Sequence, residues 1–319
     1  MAVTFKIMAL IAILSSQAAG QDPAVEQGRK LFEDGKLADA HAILQPIASR
    51  DAAAAYYMGR IAFQETAESK AADWFEKAVK LNPRSSLYHD WLGRAYGVQA
   101  QRASPLKQPF LAKKTKAAWE KAIALDPDNL DARENMITYY LQAPGFLGGS
   151  KEKARLMASE IKRRNAYRGA IVVANMCSEA KDIPCVQREL QSLIAAYPDS
   201  SGGYSALAAS YANAKQYDKA FEVLEGRLKS APDEAATLYA YGRTAAVAGQ
   251  RLDEGERALR RYIAAPAKNG PAPANAHYRL GMIFEKKGMK PAARREYETA
   301  VRLNPRLEDA KKALAAVGS

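Results

Sequence analysis

A spacing that returns along the chain constrains its fold more than any single residue does. In Asn275–Pro305, Gly281 is followed by Phe284 after three residues, Ala293 after twelve, Tyr297 after sixteen, Ala300 after nineteen and Pro305 after twenty-four. Gly59 opens the same series with Ala71, Phe75, Ala78 and Pro83 at matching offsets. A recurrence of about 34 residues marks stacked helix–turn–helix units, none of which can bury its apolar face alone. The spacing has a steric rationale. A small residue lets the first helix approach the second, where an alanine is expected to meet it, while the aromatic fills the gap to the next pair. The proline then ends the second helix.

Read with this ruler, the chain is expected to be all-α, a solenoid of about eight repeats. They lie near 21–51, 52–85, 86–129, 130–166, 167–200, 201–234, 235–273 and 274–307, and a helix over 308–317 is expected to cap the array. In the first repeat Gly28, Leu31, Ala40, Leu44 and Ile47 stand at the expected offsets, with Gly35 in the turn. The third repeat begins normally at Gly93, but Trp119, Ala122 and Pro127 arrive ten residues late, after the stretch Ala103–Phe110. The fourth carries a surplus at Ala143–Gly149, and Ser150 is placed to cap the helix that follows. Both surpluses fall inside a repeat, where equivalent turns line up along one edge, so the two are expected to be neighbours. The seventh repeat, with Gly242 and Leu259, slips by one residue, and its Pro-, Ala- and Gly-rich loop Ala264–Ala274 is the best place for a hinge.

The first twenty residues read differently. Lys6, the apolar run Ile7–Leu14 and the small residues Ser16–Gly20 have the order of a secretory signal peptide over residues 1–20, with an apolar run far short of the ~20 residues of a membrane span. Export, most simply to a periplasm, is therefore expected, with no transmembrane anchor and no lipidated cysteine. A net charge of +12 favours acidic partners, and export makes nucleic acid the least natural of them.

The small residue, aromatic, alanine and proline of the second and eighth repeats, met nearly as well in the first and sixth, resemble the tetratricopeptide repeat family. The resemblance extends over essentially the whole chain after residue 20. It implies a right-handed superhelix of antiparallel helix pairs whose concave face, lined by first helices, binds peptides or proteins. It also implies that the residue after the small position looks into that groove. Arginine stands there at Arg29, Arg60, Arg94 and Arg243, a column of guanidinium groups suited to gripping carboxylates in bidentate fashion. Phe32, Tyr56 and Phe63 would flank it as apolar contacts. The family's two-carboxylate clamp also uses lysine and asparagine in the groove, whereas Val25, Tyr56 and Asp90 stand one turn before the first three arginines, a departure from that pattern.

Three further groups are candidates. Lys107, Phe110, Lys113 and Lys114 of the first surplus and Phe146 of the second form a basic and apolar edge on which a partner could dock. Cys177 and Cys185 fall at the end of one helix and the start of the next, where a hairpin brings Cα atoms within reach of a disulfide. Gly145–Lys151 lacks the order of a phosphate-binding loop, and Asp126, Asp128 and Asp131 lack the glycine and distal glutamate of a calcium loop. His41, His89 and His277 lie in different repeats, and no nucleophile, metal-protease or nucleotide motif occurs. The expectation is a non-enzymatic scaffold or adaptor of the cell envelope, without cofactor or metal, that binds an acidic protein or peptide in the groove. Binding of an anionic glycan or envelope surface through the basic faces is the alternative.

Overall fold

A computed structural model describes residues 22–318, so the expected signal segment lies outside the described residues. The described residues form helices joined by short turns, in two compact units, one ending at Ala154 and the other beginning at Arg155. The first unit holds α1 (Pro23–Glu33), α2 (Leu37–Leu44), α3 (Ala52–Gln64), α4 (Glu68–Leu81), α5 (Ser86–Arg102), α6 (Gln108–Leu125) and α7 (Leu130–Gln142). After a 3₁₀ turn at Gly145–Leu147 comes α8 (Lys151–Arg164), within which the boundary falls. The second unit continues with α9 (Ala166–Glu179), α10 (Ile183–Ala196), α11 (Ser201–Asn213), α12 (Tyr217–Ser230), α13 (Ala235–Ala248) and α14 (Leu252–Ala264). It ends with α15 (Pro273–Lys286), α16 (Lys290–Leu303) and α17 (Glu308–Val317). This is the all-α repeat solenoid that the spacing implies.

Local chemistry sets the helix starts. Asp22, Asp51, Ser85, Asn129, Asn165 and Ser200 each accept a hydrogen bond from a free amide in the first turn of α1, α3, α5, α7, α9 and α11. The turn inside a repeat needs a left-handed residue seven places after the small one. Gly35, Gly249 and Gly288 adopt it without steric cost, whereas Thr66, Lys181 and Lys215 adopt the same conformation with a Cβ.

The structure corrects the steric role given to the small residue. What a Cβ at Gly59 would meet is the ring of Phe75, 2.6 Å away, and at Gly281 the ring of Tyr297, 2.3 Å away. Gly28 faces Leu44, Gly93 faces Trp119 and Gly242 faces Leu259 in the same way. The small residue makes room for the large residue of its own hairpin, because a ring needs a helix face stripped of side chain to lie against. The late arrival of Trp119 and the slip at Leu259 therefore leave the pairing intact; in the third repeat the surplus mostly lengthens both helices, α5 to 17 residues and α6 to 18 against 13 and 14 for α3 and α4, so Gln108, Pro109 and Phe110 belong to α6 and not to the turn where the spacing put them.

Within each unit, successive first helices touch: α1 with α3 and α5 with α7, then α11 with α13 and α13 with α15. At the far end, α17 lies on α16, burying Ala310 and packing Ala313, Leu314 and Val317 against the core. The loop before α15 is fastened by the Tyr262 hydroxyl, which donates to the Pro271 carbonyl, a tie that opposes its use as a free hinge. Cys177 on α9 and Cys185 on α10 have Cα atoms 5.8 Å apart. Among the described residues, no helix is long and apolar enough to cross a membrane.

Candidate protein-binding groove

The inner layer of the first unit carries Arg29 on α1, Arg60 on α3 and Arg94 on α5, but their surroundings differ. Arg29 is gripped from both sides by its own helix, with Glu26 at 2.6 Å and Glu33 at 2.6 Å. Arg94 donates through Nε to Asp90 at 2.9 Å and lies 3.7 Å from Asp131. Asp90 is buried, accepts a further bond from Asn135 at 2.8 Å, and sits where the Trp119 indole reaches its backbone carbonyl at 3.1 Å. Burial pushes the Asp90 carboxyl up, against the pull of Arg94 and Asn135. Arg94 is thus committed to a buried carboxylate, and its loss would leave that group without its charge partner.

Arg60 is different. Its guanidinium lies 3.9 Å from the Trp91 ring, 4.9 Å from Phe32 and 5.6 Å from Tyr56, and it donates to the Tyr56 hydroxyl at 2.7 Å. No carboxylate pairs with it among the described residues. Cation–π contacts hold a guanidinium by its faces and are worth about 0.5–2 kcal/mol each. They leave edge N–H groups that a carboxylate could take. Phe63 stands edge-on to Trp91 at 5.6 Å and is half-buried, so it borders the same place. Phe32 and Tyr56 are buried, which makes them supports for Arg60 more than open contact surface. Trp91, absent from the residues the sequence singled out, is the centre of this cluster. It stands three residues before Arg94, hence on the same helix face, a signal that the sequence does contain.

Arg243 belongs to the second unit, on α13, half-buried beside Tyr239.

The inserted edge also divides. The two surplus turns do face each other, across a mainly apolar cleft of about 400 Å³ between Pro105 and Pro109 on one side and Pro144, Phe146 and Leu147 on the other. Trp119, Thr115 and Gly97 form its floor. The second turn is pinned by the Tyr139 hydroxyl on the Leu147 carbonyl at 2.8 Å. Phe146, 81% exposed, hangs over the cleft. Lys107 and Phe110, however, line a separate depression with Glu68, Gln99 and Arg102. Lys114 turns to Glu76 at 3.4 Å and the Tyr96 ring at 4.6 Å, while Lys113 is simply exposed. Lys107, Phe110 and Lys114 share one side, with the Lys114 ammonium 5.3 Å from the Phe110 ring, whereas Phe146 borders the other cleft, so the five residues do not form one surface.

Among the described residues there is no group of three or more His, Cys, Asp or Glu side chains that could hold a metal ion.

Family models support the repeat reading of two stretches of the chain. Family models described as tetratricopeptide repeat match residues 25–86 and 274–307. No curated protein matches the sequence. Among solved structures, a tetratricopeptide repeat protein from Parabacteroides merdae ATCC 43184 is 13% identical and covers 93% of this chain and 98% of its own, with a TM-score of 0.49. MamA protein is 18% identical over 47% of this chain and 80% of its own, with a TM-score of 0.39. YrrB, described as a TPR protein with an unusual peptide-binding site, is 14% identical over 76% of this chain and 98% of its own, with a TM-score of 0.35.

Proposed function

The chain is a tetratricopeptide repeat protein, a fold that generally mediates protein–protein interaction, and from that premise we propose that it is a non-enzymatic scaffold of the cell envelope. Its partner is an acidic protein or peptide, held on the first-helix face of the first unit. The observation that carries this reading is Arg60, a guanidinium set among Phe32, Tyr56 and Trp91 with no carboxylate of its own. Arg29 and Arg94 already have internal carboxylates and act as framework on either side. The cleft between the inserted turns is an accessory contact for an apolar side chain of the same partner.

The test is recovery of partners from an envelope extract by wild type, Arg60→Glu and Arg29→Gln. Reversing the charge of Arg60 should abolish recovery of the specific partner, and Arg29→Gln should leave it within about twofold, as for a charge already paired on the surface. Equal recovery by Arg60→Glu would remove the groove reading. If no protein is recovered and cell-wall or lipopolysaccharide fractions bind in a salt-sensitive way, the anionic-surface alternative replaces it.

Export through the segment at residues 1–20 belongs to the same proposal, as does a disulfide between Cys177 and Cys185, whose spacing suits one. Closing a loop this short is worth about 2–3 kcal/mol in the chain-entropy description. The double variant Cys177→Ser/Cys185→Ser should therefore unfold at lower urea in the second unit. Free thiols in the exported protein, with unchanged stability in the variant, would contradict the bond.

A further inference from the structure

The cleft between the two inserted turns is built more firmly than an accessory contact requires. Its floor is kept hollow at Gly97. A glycine inside a helix as long as α5 is unfavourable relative to alanine. Packing does not ask for it, because an added Cβ would come no closer than 3.6 Å to Thr115 and Trp119, ordinary van der Waals contact. One turn earlier, at Gly93, the same Cβ would strike the Trp119 indole at 2.5 Å. What a side chain at position 97 would occupy is the cleft itself.

The walls are fixed as well. The Tyr139 hydroxyl holds the Leu147 carbonyl, and the Ser150 amide donates to the Tyr140 carbonyl at 2.8 Å. At Gly149 a Cβ would overlap the Ala143 carbonyl oxygen, so the second turn folds back too tightly for any side chain there. Opposite, the Gln108 side-chain amide donates to the Ala103 carbonyl at 3.1 Å. A cavity of about 400 Å³ with set walls lies in the size range of small-molecule sites, about 300–1,000 Å³.

The lining limits what fits. None of its residues is charged, although 26% of the chain is, and the separate depression beside Phe110 has Glu68, Arg102 and Lys107. An ionised ligand would lose its hydration here and find no counter-charge. Trp119 and Tyr139 meet edge-on, with ring centroids 6.5 Å apart, and Phe146 projects over the opening, so rings stand ready to pack on a flat aromatic. Pro105, Pro109 and Pro144 flank the slot, and proline rings pack well on aromatic ones. Gln101 and Gln142, both exposed, bring side-chain amides to the mouth, where they can bond a hydroxyl or carbonyl.

We propose that this cleft binds a neutral, flat aromatic small molecule bearing a hydroxyl or carbonyl group. The site goes beyond the scaffold reading and does not use Arg60. A molecule in the cleft lies where the partner's apolar side chain would otherwise enter, and so competes with it.

The test is calorimetry on the full exported chain with naphthol, naphthalene, naphthalenesulfonate, decanol and N-acetyltryptophan amide. Naphthol should bind at one molecule per chain and more tightly than the other four. Gly97→Leu, which fills the floor, should weaken it about tenfold or more. Phe146→Ala, on an exposed turn outside the core, should weaken it about threefold to tenfold, and this variant carries the test if Gly97→Leu misfolds. Gln101→Ala combined with Gln142→Ala should weaken naphthol and leave naphthalene unchanged. Arg60→Glu should leave naphthol binding unchanged, so that this site and the groove reading fail separately; a loss would move the naphthol to the Arg60 rings and overturn the site. Equal binding of naphthalenesulfonate would overturn the neutral ligand, and tighter binding of decanol would overturn the flat one. N-acetyltryptophan amide binding as tightly as naphthol would return the cleft to a partner's side chain. Naphthol binding that is absent, or indifferent to both Gly97→Leu and Phe146→Ala, would overturn the site outright.

Discussion

Phe75→Ala should cost the first unit about 3–5 kcal/mol, the loss seen when a large aromatic is cut back to a methyl group in a core that cannot collapse around the gap. Phe75 is fully buried, and it lies against the bare backbone of Gly59 on one side and the rings of Tyr56 and Trp91 on the other. It thus joins α3 and α4 to each other and both to α5. Stability in repeat proteins is close to a sum of units and nearest-neighbour interfaces. Removing this one side chain weakens two of those terms together. In urea monitored by helix content, the variant should show an early transition of the first unit, separated from that of the second. A single transition at the wild-type midpoint would contradict the role assigned to Phe75.

A second result should go against helix propensity. Alanine is favoured over glycine inside a helix by about 1 kcal/mol, so Gly→Ala ordinarily stabilises. At Gly281 the added Cβ would meet the Tyr297 ring at 2.3 Å. That ring cannot step aside, because it is fully buried and its hydroxyl is held by Glu285 at 2.7 Å. Overpacking of this kind costs about 1–3 kcal/mol, so Gly281→Ala should be destabilising on balance. Gly226, on α12, is the matched control: a Cβ there meets nothing within 4 Å. Gly226→Ala should stabilise by about 0.5–1 kcal/mol. Thermal unfolding of the two variants should therefore move in opposite directions. Equal shifts of one sign would mean that the small residue is not there to admit the ring.

These two sites show why the fold was so legible. The pairing of Gly281 with Tyr297 and of Gly59 with Phe75 is a one-to-one steric requirement inside a single hairpin, so it imprints a fixed offset on the sequence. Even Gly93 with Trp119 could be followed across ten extra residues, since the surplus lies at the turn end of the hairpin, where it lengthens both helices beyond the contact. Alanine was given the wrong part in that contact, because offset alone does not say which second-helix residue points at the gap. The site was less legible. Glu26 and Glu33 stand three before and four after Arg29, and their ion pairs could have been read from helix geometry. The approach of Trp91 to Arg60 depends on the register between neighbouring repeats, which no local spacing encodes. On the inserted edge, the adjacency of the two turns followed from repeat logic, but which side of α6 each lysine took did not.

The central claim is that the first-helix face around Arg60 holds the partner. The most direct measurement places a photo-crosslinking phenylalanine analogue at Phe63, beside Trp91, and in a second protein at Lys121, exposed on the second helix α6. Irradiation in the envelope extract should give one discrete crosslinked partner from position 63, lost when Arg60→Glu is added, and none from position 121. Crosslinking from position 121 alone, or crosslinking from position 63 that survives Arg60→Glu unchanged, would contradict the account.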